Sequence, residues 1–308
     1  MPKSARRKPQ VTPPTHAAPP GAGHGCLYIV ATPIGNLEDI SMRALRVLRE
    51  ADVIACEDTR QTIKLLSHFD IHKKLVSYHE HNEITRAPEI VIDLEQGAAV
   101  ALVTDAGMPA ISDPGHRLAS LCARHGIRVV PVPGPSAFVA ALAASGLPAE
   151  EFTFVGFLPS RQTERRKRLR TLASEPRTLA FYEAPHRVLD ALEDLLEIFG
   201  NRPAVIAREI SKVHEEFLHG HLEDLVDSAR KRAPRGEITL LVGPADGVPQ
   251  HAQSPASNVT NILPLAKRVE QIMRENNDDR KAALKQAARE RGLTRREAYK
   301  QLLITRDE

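Results

Sequence analysis

Residues 99–137 read AVALVTDAGMPAISDPGHRLASLCARHGIRVVPVPGPSA, and the fold is decided there. Ala99–Thr104 is a short apolar run that breaks at once into a polar, Gly- and Pro-bearing loop, Asp105–Gly115. A helical pattern over 114–125 follows, with Asp113 as its N-cap and Pro114 as its first residue, the position that tolerates a missing N–H. Gly126 stands where a left-handed C-cap is wanted. Arg128–Val132 is a second apolar run, closed by a second loop, Pro133-Gly134-Pro135-Ser136-Ala137. Strand, helix and strand in that order make a βαβ unit, with two buried parallel strands whose carboxyl ends carry loops on one edge.

The same alternation continues toward the N-terminus. Strands are expected at Cys26–Thr32, Val53–Cys56 and Leu75–Ser77, with helices near 41–50, 59–68 and 83–95, and one more helix at 136–145. Residues 26–146 therefore read as an α/β domain with a parallel sheet covered on both faces. After Gly146-Leu147-Pro148 a second, mixed α/β domain spans 147–245, with strands Thr153–Leu158, Thr178–Tyr182, Ala204–Arg208 and Glu237–Val242 and helices near 161–173, 186–198 and 221–231. The segment AREISKVHEEFLHG, 207–220, suits an antiparallel pair. Residues 246–258 read as a Pro/Ser/Gln-rich linker, and 259–304 as a C-terminal module of three short amphipathic helices. In that module Thr294 and Glu297 form a capping box, and Ala282, Ala283, Ala287 and Ala288 suit close helix packing.

Residues 1–25 are rich in Pro, Gly, Ala and Thr, lack apolar periodicity and read as a disordered tail. Its Gly21-Ala22-Gly23-His24-Gly25 precedes the first strand instead of following one, so it is no dinucleotide loop. The chain has 308 residues, 42% hydrophobic and 26% charged, as in an ordinary soluble protein. No apolar stretch approaches the roughly 20 residues that span a bilayer, and no secretory signal is visible, so a cytoplasmic location is expected. Cys26, Cys56 and Cys122 are odd in number and far apart, which disfavours a disulfide framework and a CxxC-type zinc site; no metal is expected. The absence of Trp and the 4% aromatic content argue against a base-stacking surface. The net charge of +3 hides an asymmetry. The tail carries four bases and no acid, residues 249–308 carry twelve bases and eight acids, and between them acids exceed bases by five. Basic ends on an acidic body point to an anionic partner such as nucleic acid, or serve solubility alone.

Ligands of a parallel sheet bind beyond the carboxyl ends of its strands. On that edge lie Ala31-Thr32-Pro33-Ile34-Gly35-Asn36, Glu57-Asp58-Thr59-Arg60, Tyr78-His79-Glu80-His81-Asn82-Glu83, the 105–115 loop and the 133–137 loop. Each alone is ordinary turn chemistry; five together on one edge mark a site.

The ordered set ATPIGNLEDIS, CEDTR, DAGMPAISDPG, VPGPSA, FYEAPHR, AREISKVHEE and RGEITLLVGP resembles the tetrapyrrole methylase fold family. More narrowly it is similar to the group that methylates a ribose 2′-hydroxyl of small-subunit ribosomal RNA. The resemblance covers roughly 26–245 and extends toward the C-terminal helices. It implies two α/β domains with S-adenosylmethionine folded into the cleft between them, a cytidine 2′-O-methyltransferase activity on 16S RNA of the small (30S) subunit, and a homodimer. It places Pro33, Ile34 and Gly35 beside the cofactor, Asp105, Ala106, Gly107 and Met108 around its methionine half, Ser136 and Ala137 on the next loop, and Tyr182, Glu183 and Ala184 as walls from the second domain. Many family members carry Gly-Asp-Pro at the fourth loop, where this chain has Thr104-Asp105-Ala106 with Gly107 one step later, as in the ribosomal group.

A ribose hydroxyl is a poor nucleophile at neutral pH, and a positioned base adds roughly 10²–10⁴-fold. The candidates on this edge are Asp58, His79, Glu80, His81 and Glu183, with Asp58, His81 and Glu183 carried forward as catalytic. Each has a plainer reading, Asp58 as a helix N-cap and His79 and His81 as a surface pair. Arg60 suits bidentate phosphate binding. The run RQTERRKRLR, Arg161–Arg170, is either a solvated helix face or a phosphate-tracking patch with Arg165 in it. Arg295 and Arg296 open a predicted helix, where the dipole favours acids, so an anionic partner is expected there. The competing readings are a methylase of a tetrapyrrole or of a protein side chain on the same fold, and a non-catalytic ribosome-assembly RNA binder.

Overall fold

The computed structural model describes residues 25–245, 268–269, 272–274 and 280–290. The rest of the N-terminal tail, the 246–258 linker, the capping box at Thr294 and Glu297, and Arg295 and Arg296 lie outside the described residues.

Five strands, β1 (Cys26–Val30), β2 (Val53–Cys56), β3 (Lys74–Ser77), β4 (Ala99–Val103) and β5 (Arg128–Val132), form one sheet in the order β3-β2-β4-β1-β5, and every pairing in it is parallel. Their sequences are apolar runs without alternation because helices cover both faces. Helices α1 (Met42–Glu50) and α2 (Thr59–His68) bury Ala44, Leu45, Val47, Leu48 and Leu66 on one face. Helices α3 (Glu83–Glu95) and α4 (His116–Arg124) bury Ala87, Ile90, Val91, Leu94, Leu118 and Cys122 on the other. All three cysteines are buried and free. The start of α4 corrects the expected cap. The N-cap is Gly115, at φ 145°, so Asp113 and Pro114 belong to the preceding loop. Gly126, at φ 67°, follows the end of that helix in the left-handed region.

The second sheet takes β6 (Phe152–Phe157), β7 (Thr178–Glu183), β8 (Pro203–Arg208), β9 (Glu216–His221) and β10 (Ile238–Val242) in the order β6-β7-β10-β8-β9. Only β6–β7 is parallel, and β8–β9 is the antiparallel pair read from AREISKVHEEFLHG. Helices α6 (Gln162–Leu172), α7 (Val188–Phe199) and α8 (Leu222–Lys231) cover one face.

The other face is covered by α5 (Ala137–Ala144), whose Ala141 and Leu142 pack on Ala180, Val205, Ala207 and Leu241. The expected boundary at 146 thus cuts behind a helix that belongs by packing to the second sheet. The sequence AFVAALAA is apolar all round, yet only Ala141 and Leu142 are buried, and Val139 is 50% exposed on the outer face. Both sheets lie in one compact unit ending at Asp246; the second unit is Gly247–Glu308. In that second unit α9 (Arg280–Glu290) presents Ala283, Leu284, Ala287 and Ala288 to Val269 and Ile272, a small apolar core of its own. Among the described residues no helix is long and apolar enough to cross a membrane.

Candidate active site

The carboxyl-end loops of the parallel sheet face the second sheet across a cavity of about 670 Å³. Two backbone hydrogen bonds organise its floor. Thr32 N–H donates to Gly107 O at 2.9 Å and Gly107 N–H to Thr32 O at 3.1 Å, tying the loop after β1 to the loop after β4. Gly107 sits at φ 85°, and a Cβ there would lie 3.6 Å from Ile34 Cγ2 and 3.7 Å from Pro135 O. It is therefore held between three loops in a conformation that disfavours a side chain.

Ile34, Asp105, Ala106, Gly107, Met108, Ser136, Ala137, Tyr182, Glu183 and Ala184 line the cavity. Pro33 and Gly35 flank Ile34 in chain order. Pro33 is buried, and Gly35 lies under the Lys212 side chain, which leaves no room for a Cβ. Tyr182 packs edge-on against Phe154 at 5.1 Å and near Phe157 at 5.6 Å between ring centroids. Its Oη accepts from Phe138 N–H at 3.4 Å, at the start of α5. Burial raises its pKa.

The cavity is also lined by Glu57, Ile111, Ser112 and Asp113, from loops the sequence places on this edge without giving these residues a role at the site, and by Phe157 and Lys212, which the sequence does not single out. The loop after β4 takes Ala110 and Ser112 to φ 68° and 61°, and the loop after β8 takes Glu209 and Ser211 to 51° and 65°. Non-glycine residues in the left-handed region are strained and concentrate at functional sites. Lys212 is held by Glu209 Oε1 at 2.9 Å and Glu237 Oε2 at 3.1 Å; the hydrogen bond from Glu237 N–H and then that from Lys212 lower the pKa of Glu209. Of the other lining carboxylates, Glu183 pairs with Arg187, while Glu57, Asp105 and Asp113 have no cation on them among the residues lining the cavity. Thr104 Oγ1 donates to Glu57 Oε2 at 2.9 Å, and Asp58 N–H to Asp105 Oδ1 at 3.2 Å. Desolvation and the neighbouring Glu57 raise the pKa of Asp105. Desolvation, followed by Glu57, Asp105 and Glu80, pushes that of Asp113 up to about 6.

The expected bases are held otherwise. Asp58 is the N-cap of α2, accepting from Arg60 N–H at 2.8 Å and pairing with its guanidinium. Those bonds bring its pKa down to about 2, and so acidic a carboxylate is a weak proton acceptor. Arg60 is correspondingly exposed and spent on Asp58, with 85% of its side chain in solvent. Glu183 is buried, and its Oε1 accepts from Ala184 N–H and from Arg187 Nε. His81 is exposed and does not line the cavity. Its ring meets His79 edge-on at 5.9 Å, while the Asn82 side chain spans His79 N–H and Ser77 O, which fixes the start of α3. Among the described residues no group of three His, Cys, Asp or Glu is placed to hold a metal ion.

Arg165 requires a correction. It is 3% exposed, and its Nε donates to Asp194 Oδ2 at 2.7 Å, which Arg166 also binds through Oδ1 at 2.6 Å. This triad staples α6 to α7, so Arg165 is not offered to a phosphate. The exposed cations of the run are Arg161, Lys167, Arg168 and Arg170.

Residues 26–226 match the family model of the Tetrapyrrole (Corrin/Porphyrin) Methylases. The chain is 50% identical over 281 residues to the ribosomal RNA small subunit methyltransferase I of Halalkalibacterium halodurans, across 89% of this chain and 93% of that one. It is 50% identical over 218 residues to the enzyme of the same name from Thermotoga maritima, across 71% and 98%. In fold it is similar to the cobalamin biosynthetic enzyme cobalt precorrin-4 methyltransferase, with a TM-score of 0.54 at 21% identity over 71% of this chain and 94% of that one. It is likewise similar to a Thermus thermophilus uroporphyrin III C-methyltransferase, with a TM-score of 0.51 at 22% identity over 70% and 97%. The chain belongs to the tetrapyrrole methylase family, and within it to the ribosomal RNA small subunit methyltransferase I group.

Proposed function

We propose that this protein transfers a methyl group from S-adenosylmethionine to the 2′-hydroxyl of a cytidine in small-subunit ribosomal RNA. The observation that carries the reading is the cleft itself, walled by both α/β halves and bearing carboxylates in excess of cations. S-adenosylmethionine carries an ammonium and a sulfonium against one carboxylate, so its net charge suits a cavity in which Glu57, Asp105 and Asp113 have no paired cation. The small residues Ala106, Gly107 and Ala137 let backbone groups approach a ligand closely. When bound, the cofactor supplies a methyl group on a sulfonium leaving group.

The residues of this chain then have two tasks, to align the acceptor oxygen and to exclude water. A cavity of about 670 Å³ lies within the usual range for small-molecule sites. It suits a nucleotide extruded from its strand beside the cofactor, in the manner of enzymes that act on single bases. Ile111 and Phe157, exposed at 42% and 56%, provide the apolar surface on which such a nucleotide rests. Phosphates are repelled by the acidic cavity, so the RNA backbone follows cations outside it: Lys167, Arg168 and Arg170 on α6, and the basic C-terminal unit with Arg295 and Arg296. The relatives' names support ribosomal RNA as substrate over the tetrapyrroles of the fold neighbours. The protein then acts in the cytoplasm on the 30S subunit, as a homodimer.

Labelled methyl transfer separates the readings. Small subunits from a strain lacking the enzyme, a tetrapyrrole precursor and a ribosomal protein fraction are offered in parallel. Label in the RNA alone is the expected result. Label in the tetrapyrrole or the protein fraction would transfer the reading to the corresponding relative, and binding of subunits with no transfer to any acceptor would make the protein an assembly factor.

A further inference from the structure

We infer that Lys212 and Glu237, side by side on the cavity wall, are the pair that selects the acceptor base: the ammonium donates to N3 of a cytosine and the carboxylate accepts from its exocyclic amine. This rests on the methyl-transfer reading above and goes beyond it by naming what reads the base.

The charged groups of the cavity come in two sets. Glu57, Asp105 and Asp113, from the first half, stand without a cation. The second half contributes Glu209 and Lys212 from the loop after β8 and Glu237 just before β10. Among the described residues that line the cavity, Lys212 is the only cation. Its ammonium has three protons to give. One goes to Glu209 Oε1 at 2.9 Å and one to Glu237 Oε2 at 3.1 Å, so one is left. Glu237 meets the lysine through Oε2, its Oε1 has no partner among the described residues, and 73% of its side chain is exposed. The pair therefore offers a ligand a donor next to an acceptor, which the first set does not.

The backbone fixes the order of the two groups. Glu209 N–H donates to Glu237 O and Glu237 N–H to Glu209 Oε1, both at 2.9 Å, which ties the loop after β8 to the start of β10. Glu209 and Ser211 take φ 51° and 65° to do so, and Ser211 Oγ is buried with no hydrogen-bond partner among the described residues. Gly236, at φ 83°, leaves room for the Glu209 side chain, and Gly35 for the methylenes of Lys212. The contact with Gly35 crosses from one half to the other, so the arm that carries the ammonium lies on the loop beside the proposed cofactor position. Two strained residues and an orphan hydroxyl are costly for folding alone, and the setting of one donor against one acceptor accounts for them.

Cytosine presents an amine donor next to the acceptor N3, and uracil an acceptor O4 next to the donor N3–H. An ammonium can only donate and an ionised carboxylate can only accept. Held in one order, the pair takes the cytosine edge and sets like against like on uracil, which is discrimination by repulsion as well as by attraction. An anion fits this corner less well. Two carboxylates already face one ammonium, and the remaining negative charge disfavours an RNA phosphate and the cofactor's carboxylate alike. Ile111 and Phe157 then meet the faces of the nucleotide while Lys212 and Glu237 meet its edge, and the ribose is aligned through its base.

The test compares wild type, Lys212→Met and Glu237→Gln in the full chain, on small subunits carrying cytidine or uridine at the methylated position. The measurements are single-turnover methyl transfer and calorimetric binding of S-adenosylhomocysteine. Methionine keeps an unbranched stem on Gly35 and removes the ammonium; glutamine keeps the shape of an exposed side chain and adds a donor. Wild type is expected to prefer cytidine. Both variants are expected to bind S-adenosylhomocysteine as wild type does. Lys212→Met should lose rate on cytidine and Glu237→Gln should gain rate on uridine, each narrowing the preference by about 5–150-fold. A wild type that methylates both bases equally overturns the assignment, as do variants that keep the wild-type preference at whatever rate, which would leave the pair a structural role or a phosphate contact. Loss of S-adenosylhomocysteine binding would give the pair to the cofactor and overturns it too. If wild type transfers nothing to either RNA, the methyl-transfer reading fails and this assignment with it, a result distinct from active variants with an unchanged preference.

Discussion

Asp58 and Asp113 both precede helices in the sequence, and the structure uses them differently. Asp58 caps α2 and holds Arg60; Asp113 is displaced from the cap of α4 by Gly115 and left on the cavity wall. This difference has a signature in stability. The folded protein holds the Asp113 proton up to about pH 6, against 3.8 for the ordinary side chain. Between those values the native state binds more protons than the unfolded one, so this group makes stability fall as pH rises through the window, with the full loss present above it. Asp113→Asn should therefore stabilise the ligand-free protein at pH 8 by about 1–2 kcal/mol, after allowing for solvent screening of a partly exposed group, and change little at pH 4. Denaturant midpoints at the two pH values check this. Gly107 gives the second prediction at this scale. Gly107→Val forces a branched residue into φ 85° between Ile34 and Pro135, at a strain of about 1–3 kcal/mol, and places its methyl groups where the cofactor is proposed to lie. The folded variant should show no calorimetric binding of S-adenosylhomocysteine; wild-type affinity would place the cofactor elsewhere.

At the scale of elements, the parallel half was legible because its strands are apolar without alternation and its loops carry Gly and Pro. The strands from Val53, Ala99 and Arg128 begin where the residues placed them. The antiparallel β8–β9 pair was legible too. The positive-φ residues Ala110, Ser112, Glu209 and Ser211 were not, because nothing but the fold makes a non-glycine residue adopt that conformation. The allegiance of α5 was hidden for a related reason: an all-apolar helix does not show in its sequence which body it packs on. Helix α6 was half legible, since its cations were evident but not their division into inner and outer faces. Arg165 and Arg166 turn to Asp194, while Lys167, Arg168 and Arg170 face solvent. Asp194→Ala leaves Arg165 buried and unpaired and should cost about 3–5 kcal/mol in global stability. The double change Lys167→Ala and Arg168→Ala should leave the denaturation midpoint near wild type but make RNA binding less dependent on salt, because fewer counterions are released. An unchanged salt slope would make this face a solvated one and nothing more.

At the scale of the whole molecule, the proposed division of work gives the acidic cavity to a cationic cofactor and the basic ends to an anionic polymer. The unit from Gly247 has an apolar core of its own around Ile272 and Ala287. A chain ending at Asp246 should bind S-adenosylhomocysteine as the full chain does, while its affinity for small subunits falls and becomes less steeply salt-dependent. Equal affinity and equal slope would give the C-terminal unit a structural role instead. The central claim, methylation of a ribose oxygen, is tested most directly by the chemical identity of the product. Small subunits lacking the modification are methylated by the purified protein, the RNA is digested to nucleosides, and the labelled nucleoside is fragmented in a mass spectrometer. The account predicts a methyl group on the ribose of a cytidine, lost with the sugar when the glycosidic bond breaks. A methyl group that stays with the base, or that is found on a nucleoside other than cytidine, would contradict it.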